Sequence, residues 1–302
     1  MSTKNIKVIN DDLPALFRAS DAASNDAQRH YLILIAIDLL FLFIAAILGS
    51  FAITDVQTRG HLALTSAIVL GISIIITGII RIIRVEQVWY DGRTVAESVK
   101  SLAWRYMTCT EPYLIRMNPA ILDEKFVGDL SLILAERRAF SSRLGGPLAT
   151  KPQITKCMRQ IRNLTTKVRK NIYLSCRIND QRSWYSKRAD TNRKLASKLF
   201  VAIIVTQILA LIGAIVLVRW PELPLTPTGI LVTLAAALLA WLQLRRHQEL
   251  AQSYGLAAQE LGFVCEQASY VKTENELSDF VSDSENAISR EHTLWRARRD
   301  QR

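Results

Sequence analysis

The sequence predicts an all-α integral membrane protein: four transmembrane helices in two hairpins, with long cytosolic helical extensions that form coiled-coil-like pairs. Three observations carry this reading. Half of the 302 residues are hydrophobic and only 22% are charged, and the apolar residues are gathered into long blocks. The 38 Lys and Arg residues, which give a net charge of +11, lie almost wholly outside those blocks. After the second block of each pair, apolar and small residues recur at alternating spacings of three and four, as in a helical seam.

A membrane-crossing helix needs roughly 20 residues at ~1.5 Å each. Tyr31 to Ile53 and Leu62 to Ile80 meet this need and form the first hairpin across the link Thr54 to His61. Leu199 to Val218 and the shorter Thr228 to Leu244 form the second, across a link with Pro221, Pro224 and Pro227. Polar residues precede the first span and no small-residue cleavage site follows a short apolar core, so the span is expected to be retained. Of the 38 basic residues only Arg59 and Arg219 lie in the two links, whereas Arg29, Arg81, Arg84, Lys194, Lys198, Arg245 and Arg246 flank the opposite ends. The positive-inside rule therefore places the N-terminal arm, the middle segment and the tail in the cytoplasm.

The two halves repeat one plan of helix, span, span, helix. An offset of 169 lays Asp21 on Asp190, Arg29 on Lys198 and Asp38 on Gln207. The seam after the first hairpin is Val85, Val88, Gly92, Val95, Val99, Leu102 and Tyr106; after the second it is Leu244, His247, Ala251, Tyr254, Ala258, Leu261 and Cys265. With no Pro between span and seam, Leu62 to Tyr106 reads as one rod ~65 Å long. Small residues such as Gly92, Ala96, Ala251 and Ala258 admit a close partner helix. The partner is the pre-span helix of the same half, Pro14 to His30 or Tyr173 to Lys198, or else a helix of another chain. Glu111-Pro112, Asn118-Pro119 and Gly145-Gly146-Pro147 punctuate the middle around one amphipathic helix, Asp123 to Phe140. The modules are thus 1–147 and 148–302, and a short docking helix is expected in the tail.

Catalysis finds no footing. There is no glycine-rich phosphate loop, no HExxH and no nucleophile elbow. Cys109, Cys157, Cys176 and Cys265 are isolated, and His30, His61, His247 and His292 are scattered, so neither a disulfide framework nor a zinc site is expected. We expect no enzyme, no cofactor and no metal. The middle is strongly cationic: Lys151 to Lys198 holds 14 Lys and Arg against Asp180 and Asp190. Ile154, Met158, Ile161, Leu164, Val168 and Ile172 keep one helical face, which leaves Lys156, Arg159, Lys167 and Lys170 as candidate anion-binding residues. Lipid headgroups, a nucleotide or nucleic acid could answer that charge; no DNA-reading motif accompanies it, so nucleic acid is not expected. Asp38 is the one ionisable residue of the first span, and Gln207 the one strongly polar residue of Leu199 to Val218. A carboxylate at helix centre costs ~2.5 to 3.5 kcal/mol on insertion scales and must face protein or water. Asp38 is read either as pore-lining or proton-responsive, or as an interhelical contact, with Gln207 as one partner.

Trp89-Tyr90-Asp91-Gly92-Arg93, then Ala96-Glu97-Ser98, Lys100 and Leu102-Ala103-Trp104-Arg105-Tyr106, resembles the stretch after the hairpin in SLATT domains, the SMODS and SLOG-associating two-transmembrane effectors. Pro14 to Arg18 with Asp21, Ser24, Gln28 and Tyr31 resembles the lead-in helix of that domain. Arg177, Gln181, Trp184-Tyr185 and Asn192, with Gln248 to Tyr254 and Ile288 to His292, resemble a second SLATT copy. The resemblance implies a bacterial inner-membrane effector of conflict or antiphage systems that oligomerises and permeabilises the membrane. It further implies a nucleotide second messenger or a nucleotide-sensing partner protein as the source of the signal. Arg93, Glu97, Lys100 and Trp104 fall on one helical face, where structural pairing is the physical reading.

Overall fold

The computed structural model describes residues 6–51, 53, 55–144, 150–223 and 225–300. Among them there is no strand; the chain is helical, and four helices are long and apolar enough to cross a membrane. The helices are α1 Ala15–Gly49, α2 Val56–Ile83, α3 Val85–Thr108, α4 Pro119–Ala135, α5 Arg138–Ser141, α6 Lys156–Arg162, α7 Thr166–Tyr173, α8 Asn179–Arg219, α9 Pro227–Arg245, α10 His247–Gln267 and α11 Glu274–Asp300. A π-helical turn, Leu174–Ile178, joins α7 to α8 without interruption. Gly145-Gly146-Pro147, and with them the module junction at residue 147, lie outside the described residues, as does Pro224.

The chain divides into two compact units, each drawing on both sequence halves. The span unit comprises 28–85 and 189–252; the helical unit comprises 1–27, 86–188 and 253–302.

In the span unit the first hairpin turns earlier than the sequence suggests. Helix α1 ends at Gly49, and α2 starts at Val56 because Asp55 caps it, accepting from the Thr58 amide at 2.8 Å. The links of the two hairpins meet: the Thr226 amide donates to the Ser50 carbonyl at 3.1 Å, beside an isolated antiparallel bridge between Phe51 and Leu225. Buried positions along the spans are mostly small, including Ala45, Ser73, Ala210 and Ala235, while Ile74, Ile82, Leu211 and Val218 point outward. Helices that associate in lipid gain by close backbone approach, and large apolar side chains outside cost nothing there.

The single rod is not formed. Arg84 closes α2 with φ 51°, and Arg246 closes α9 with φ 47°, both in the left-handed region. The first copy breaks just before its seam and the second between the first two seam residues, Leu244 and His247, each at a non-glycine residue that gives up ~1–2 kcal/mol to adopt this conformation. The Asp123 to Phe140 helix is likewise two: α4 starts earlier, where Asn118 caps the Ala120 amide with Pro119 at the first turn, and α5 follows separately. The cationic helix is broken at Asn163 into α6 and α7, and the tail forms not a short helix but 27 residues of α11.

In the helical unit α3 packs on the start of α1. The Ser24 hydroxyl donates to the Trp89 carbonyl at 2.8 Å, and a Cβ on Gly92 would stand 3.0 Å from Ser24 Cβ and 3.1 Å from the Ser20 carbonyl oxygen. Glycine allows that approach without crowding. Contacts of Asp21 with Arg93 and of Ser24 with Trp89 make the pair antiparallel. Asn179 with Cys265 and Trp184 with Tyr254 make α8 and α10 antiparallel in the same way. The buried face of α3 also includes Ala96, Ala103, Trp104 and Met107, wider than a two-helix seam and suited to the centre of a multi-helix domain.

Candidate functional site

The polar stripe on α3 is where the two sequence halves converge. Arg93 pairs with Glu97 at 3.0 Å and approaches Asp21 at 3.8 Å. Lys100 lies one turn further along, its ammonium 5.7 Å from the centre of the Phe17 ring. Trp104, buried, meets Tyr173 edge-on at 5.6 Å, and Tyr173 in turn meets Phe280 of α11 at 6.1 Å. Arg177 grips Glu285 with two parallel bonds, Nε to Oε1 at 2.9 Å and Nη2 to Oε2 at 2.8 Å; the Tyr173 hydroxyl adds a third at 3.0 Å. Arg177 is 1% exposed and Glu285 0%.

Charge in this core is arranged to hold, not to react. Burial opposes the Arg177 guanidinium, but the Glu285 carboxylate beside it raises its pKa overall. Lys100 moves the other way: burial first, then the nearby Arg177 charge, lower its pKa, with Glu97 opposing. The Tyr173 phenol is pushed far up, by burial and then by Glu285. Arg177 is thus held as the cation and Tyr173 as the neutral phenol, whereas Lys100 gives up its proton more readily than an exposed lysine. Their contacts lock five stretches of chain, α1, α3, α7, the π-helical turn and α11, around one polar core.

The second half supplies its own stripe. Tyr185 is buried and Trp184 half-buried, each about one ring diameter from Tyr254, at 5.5 and 5.3 Å. Arg188 lies 5.5 Å from the Trp184 ring, and Gln181 is buried on the adjacent turn. Trp89 and Tyr90 stack at 4.6 Å. Sequence reasoning missed Glu285, the carboxylate that holds Arg177. Its signal was present: Leu277, Val281, Ser284 and Ile288 are spaced by four, three and four, and place Glu285 on a buried face.

The four candidate anion-binding residues are divided by the fold. Arg159 is bound to Asp123 at 2.6 Å, and Lys156 is exposed on α6. Lys167 and Lys170 instead line a common cavity at the start of α7. Two other basic residues of this segment face inward: Arg162 donates to the Tyr106 and Tyr113 carbonyls at 2.7 and 2.9 Å, and Arg169 to the Thr108 carbonyl at 2.8 Å. The Tyr106 and Thr108 carbonyls lie at the end of α3, where cations are favoured, and Tyr113 just beyond it. Part of the segment's charge is thus structural.

In the span unit Asp38 accepts from Ser73 at 2.5 Å and from Thr77 at 3.3 Å, both on α2. Its partners lie in its own hairpin, and Gln207, exposed on α8, is not among them. Asn192 Oδ1 and His247 Nδ1 lie 2.7 Å apart, both buried. A shallow cavity of about 390 Å³ is lined by Arg193, Ser197, Phe200, Gln248 and Gln252. Among the described residues no group of His, Cys, Asp and Glu is placed to hold a metal ion.

Residues 14–170 match the model of SMODS and SLOG-associating 2TM effector domain 3, and residues 173–295 match that of domain 1. The chain belongs to the SLATT family. It is a membrane protein made of two such domains in tandem, the matches meeting between residues 170 and 173. No curated protein and no solved structure matches it significantly. The residues that carry the resemblance in both copies, from Arg93 to Trp104 and from Arg177 to Tyr185, occupy the helical unit. Those from Arg93 to Trp104 and Arg177 meet in the polar core.

Proposed function

We propose that this tandem SLATT protein is a bacterial inner-membrane effector of a conflict system, without catalytic activity of its own. A nucleotide or partner signal acts on the helical unit, which faces the cytoplasm; copies then oligomerise and the spans open a leak. The observation that carries this reading is the pairing of four apolar helices with two matched effector domains. The near absence of Lys and Arg from the two links supports the orientation. The left-handed residues Arg84 and Arg246 support a change of angle as the opening motion, since each separates a span from its following helix.

The test is leak from liposomes. Purified protein, reconstituted with a trapped dye, should release it on addition of a stimulus, screened first among cyclic nucleotides. Silence under all stimuli, while the protein still captures a cytosolic partner, would replace this reading with a non-conducting scaffold that recruits through its basic helices. One feature favours that second reading: Asp38 is occupied by Ser73 and Thr77 and so is engaged within its hairpin.

A further inference from the structure

The start of α7 carries positive charge with little to neutralise it. A cavity of about 310 Å³ is lined by Thr166, Lys167 and Lys170 of α7 and by Ser269, Val271 and Lys272 of the turn between α10 and α11. Three lysines from two separate stretches of chain reach it, and no carboxylate is among the lining residues. The carboxylates nearest in sequence are committed elsewhere. Glu274 binds Arg169 and the Thr166 hydroxyl, and Glu276 accepts the Lys272 and Thr273 amides at 2.7 and 2.9 Å.

Lys170 is held rather than neutralised. Its ammonium donates to the Ala268 and Val271 carbonyls at 3.0 and 2.7 Å, which fixes the charge and leaves one N–H free. The helix adds to the field. Helical structure runs unbroken from Thr166 to Arg219, so a 54-residue helix begins at this cavity. The Thr166 and Lys167 amides that open the helix have no carbonyl to reach, while the Val168 and Arg169 amides donate to the Thr165 carbonyl at 3.0 Å; Thr165 makes no side-chain bond to them. Open amides, the positive end of the helix dipole and adjacent lysines together form the setting in which phosphate groups are held. The hydroxyls are donors already used: Thr166 to Glu274 and Ser269 to the Glu266 carbonyl at 2.7 Å. Recognition therefore falls to the lysines and amides, which select for charge.

We infer that this cavity binds a phosphate-bearing anion through Lys167, Lys170, Lys272 and the first amides of α7. Its volume suits one or two phosphoryl groups with part of what they are attached to, and Arg169 and Glu274 tie its rim to the end of α3 through Thr108. The phosphate is either that of a free nucleotide-like ligand or that of an anionic lipid. The inference names a site for the signal in the function proposed above, yet it is measured without any leak.

The experiment uses the full chain in nanodiscs of phosphatidylcholine, titrated with inorganic pyrophosphate and followed by ³¹P NMR line broadening or calorimetry. A second arm uses discs containing phosphatidylglycerol. Saturable pyrophosphate binding in neutral discs identifies a free ligand; lysine-dependent enrichment of phosphatidylglycerol around the chain, without pyrophosphate binding, identifies the lipid. Each of Lys167→Ala and Lys272→Ala, both at exposed positions, should weaken binding about tenfold, the scale of one charge-assisted hydrogen bond. Lys170→Met should weaken it at least as much. Lys156→Ala removes the same charge outside the cavity and should leave binding unchanged. No saturable binding in either arm, or equal losses with Lys156→Ala, would overturn the site. Binding with a silent dye-release assay would leave the site standing and count against the leak.

Discussion

Glu285→Ala should be among the most damaging single substitutions in the helical unit. The carboxylate is fully buried and accepts three hydrogen bonds, two from Arg177 at 2.9 and 2.8 Å and one from Tyr173 at 3.0 Å. Its removal strands a guanidinium that is itself 1% exposed. Removing one partner of such a pair costs about 3–5 kcal/mol, because the survivor stays buried without its counter-charge. At about 2–4 °C per kcal/mol for a chain of this order of size, the midpoint of thermal inactivation should fall by about 6–20 °C. The assay is circular dichroism of the full chain in nanodiscs, read at a fixed scan rate. Glu285→Gln, which keeps the shape and one acceptor, should fall between. Arg177→Met with Glu285→Leu should recover most of the loss, since an apolar pair of similar volume needs no counter-charge. A drop below about 2 °C for Glu285→Ala would refute the claim that this pair holds the helical unit together, given the magnitude expected for a stranded buried charge.

Gly92→Ala should lower stability by about 1–3 kcal/mol, because the new methyl meets Phe140 Cε2 and Ser24 Cβ at 3.0 Å and the Ser20 carbonyl oxygen at 3.1 Å, so that these neighbours must give by a few tenths of an ångström. The same thermal scan reads it, with Gly128→Ala on open surface as the contrast. His247 is buried against Asn192, and its pKa lies below the ordinary 6.5, through burial and then the Arg245 charge. The neutral ring is favoured in the folded chain, so its contribution is full above pH 6.5 and is lost as the pH falls from there toward the folded pKa. Scans from about pH 8 to pH 5 should show a decline that His247→Gln flattens. Asp38→Asn keeps an acceptor for Ser73 and turns an amide donor toward the Thr77 hydroxyl, and should leave hairpin stability and leak unchanged, whereas Asp38→Leu should cost ~0.6–2 kcal/mol per interhelical bond. Loss of leak in Asp38→Asn, with assembly intact, would make the carboxyl itself part of conduction.

The spans were legible because length and apolar composition are local properties, and so was the seam, since Gly92, Val95 and Val99 announce a buried face by spacing alone. The breaks at Arg84 and Arg246 were not. Arginine is a good helix former, and neither Gly nor Pro marks either place, so nothing local announces the left-handed turn there. Asn163 and Thr165 did carry a turn signature, but the apolar period of Ile161, Leu164 and Val168 ran through it and masked the break between α6 and α7. Lys167 and Lys170 could be singled out by charge, whereas Lys272 could not, since only the folded chain brings residues a hundred apart to one cavity. For the same reason Arg177 was visible as a motif residue and its carboxylate at 285 was not.

The helical unit cannot be completed from either repeat by itself. Trp104 rests on Tyr173, which lies beyond the first matched domain, and Arg177 waits for a carboxylate more than a hundred residues downstream. A ribosome that has delivered both hairpins has therefore not yet delivered a finished polar core. Synthesis itself imposes an order: the core stays incomplete until α11 emerges, and a product that stops between residues 177 and 285 leaves the Arg177 guanidinium bare.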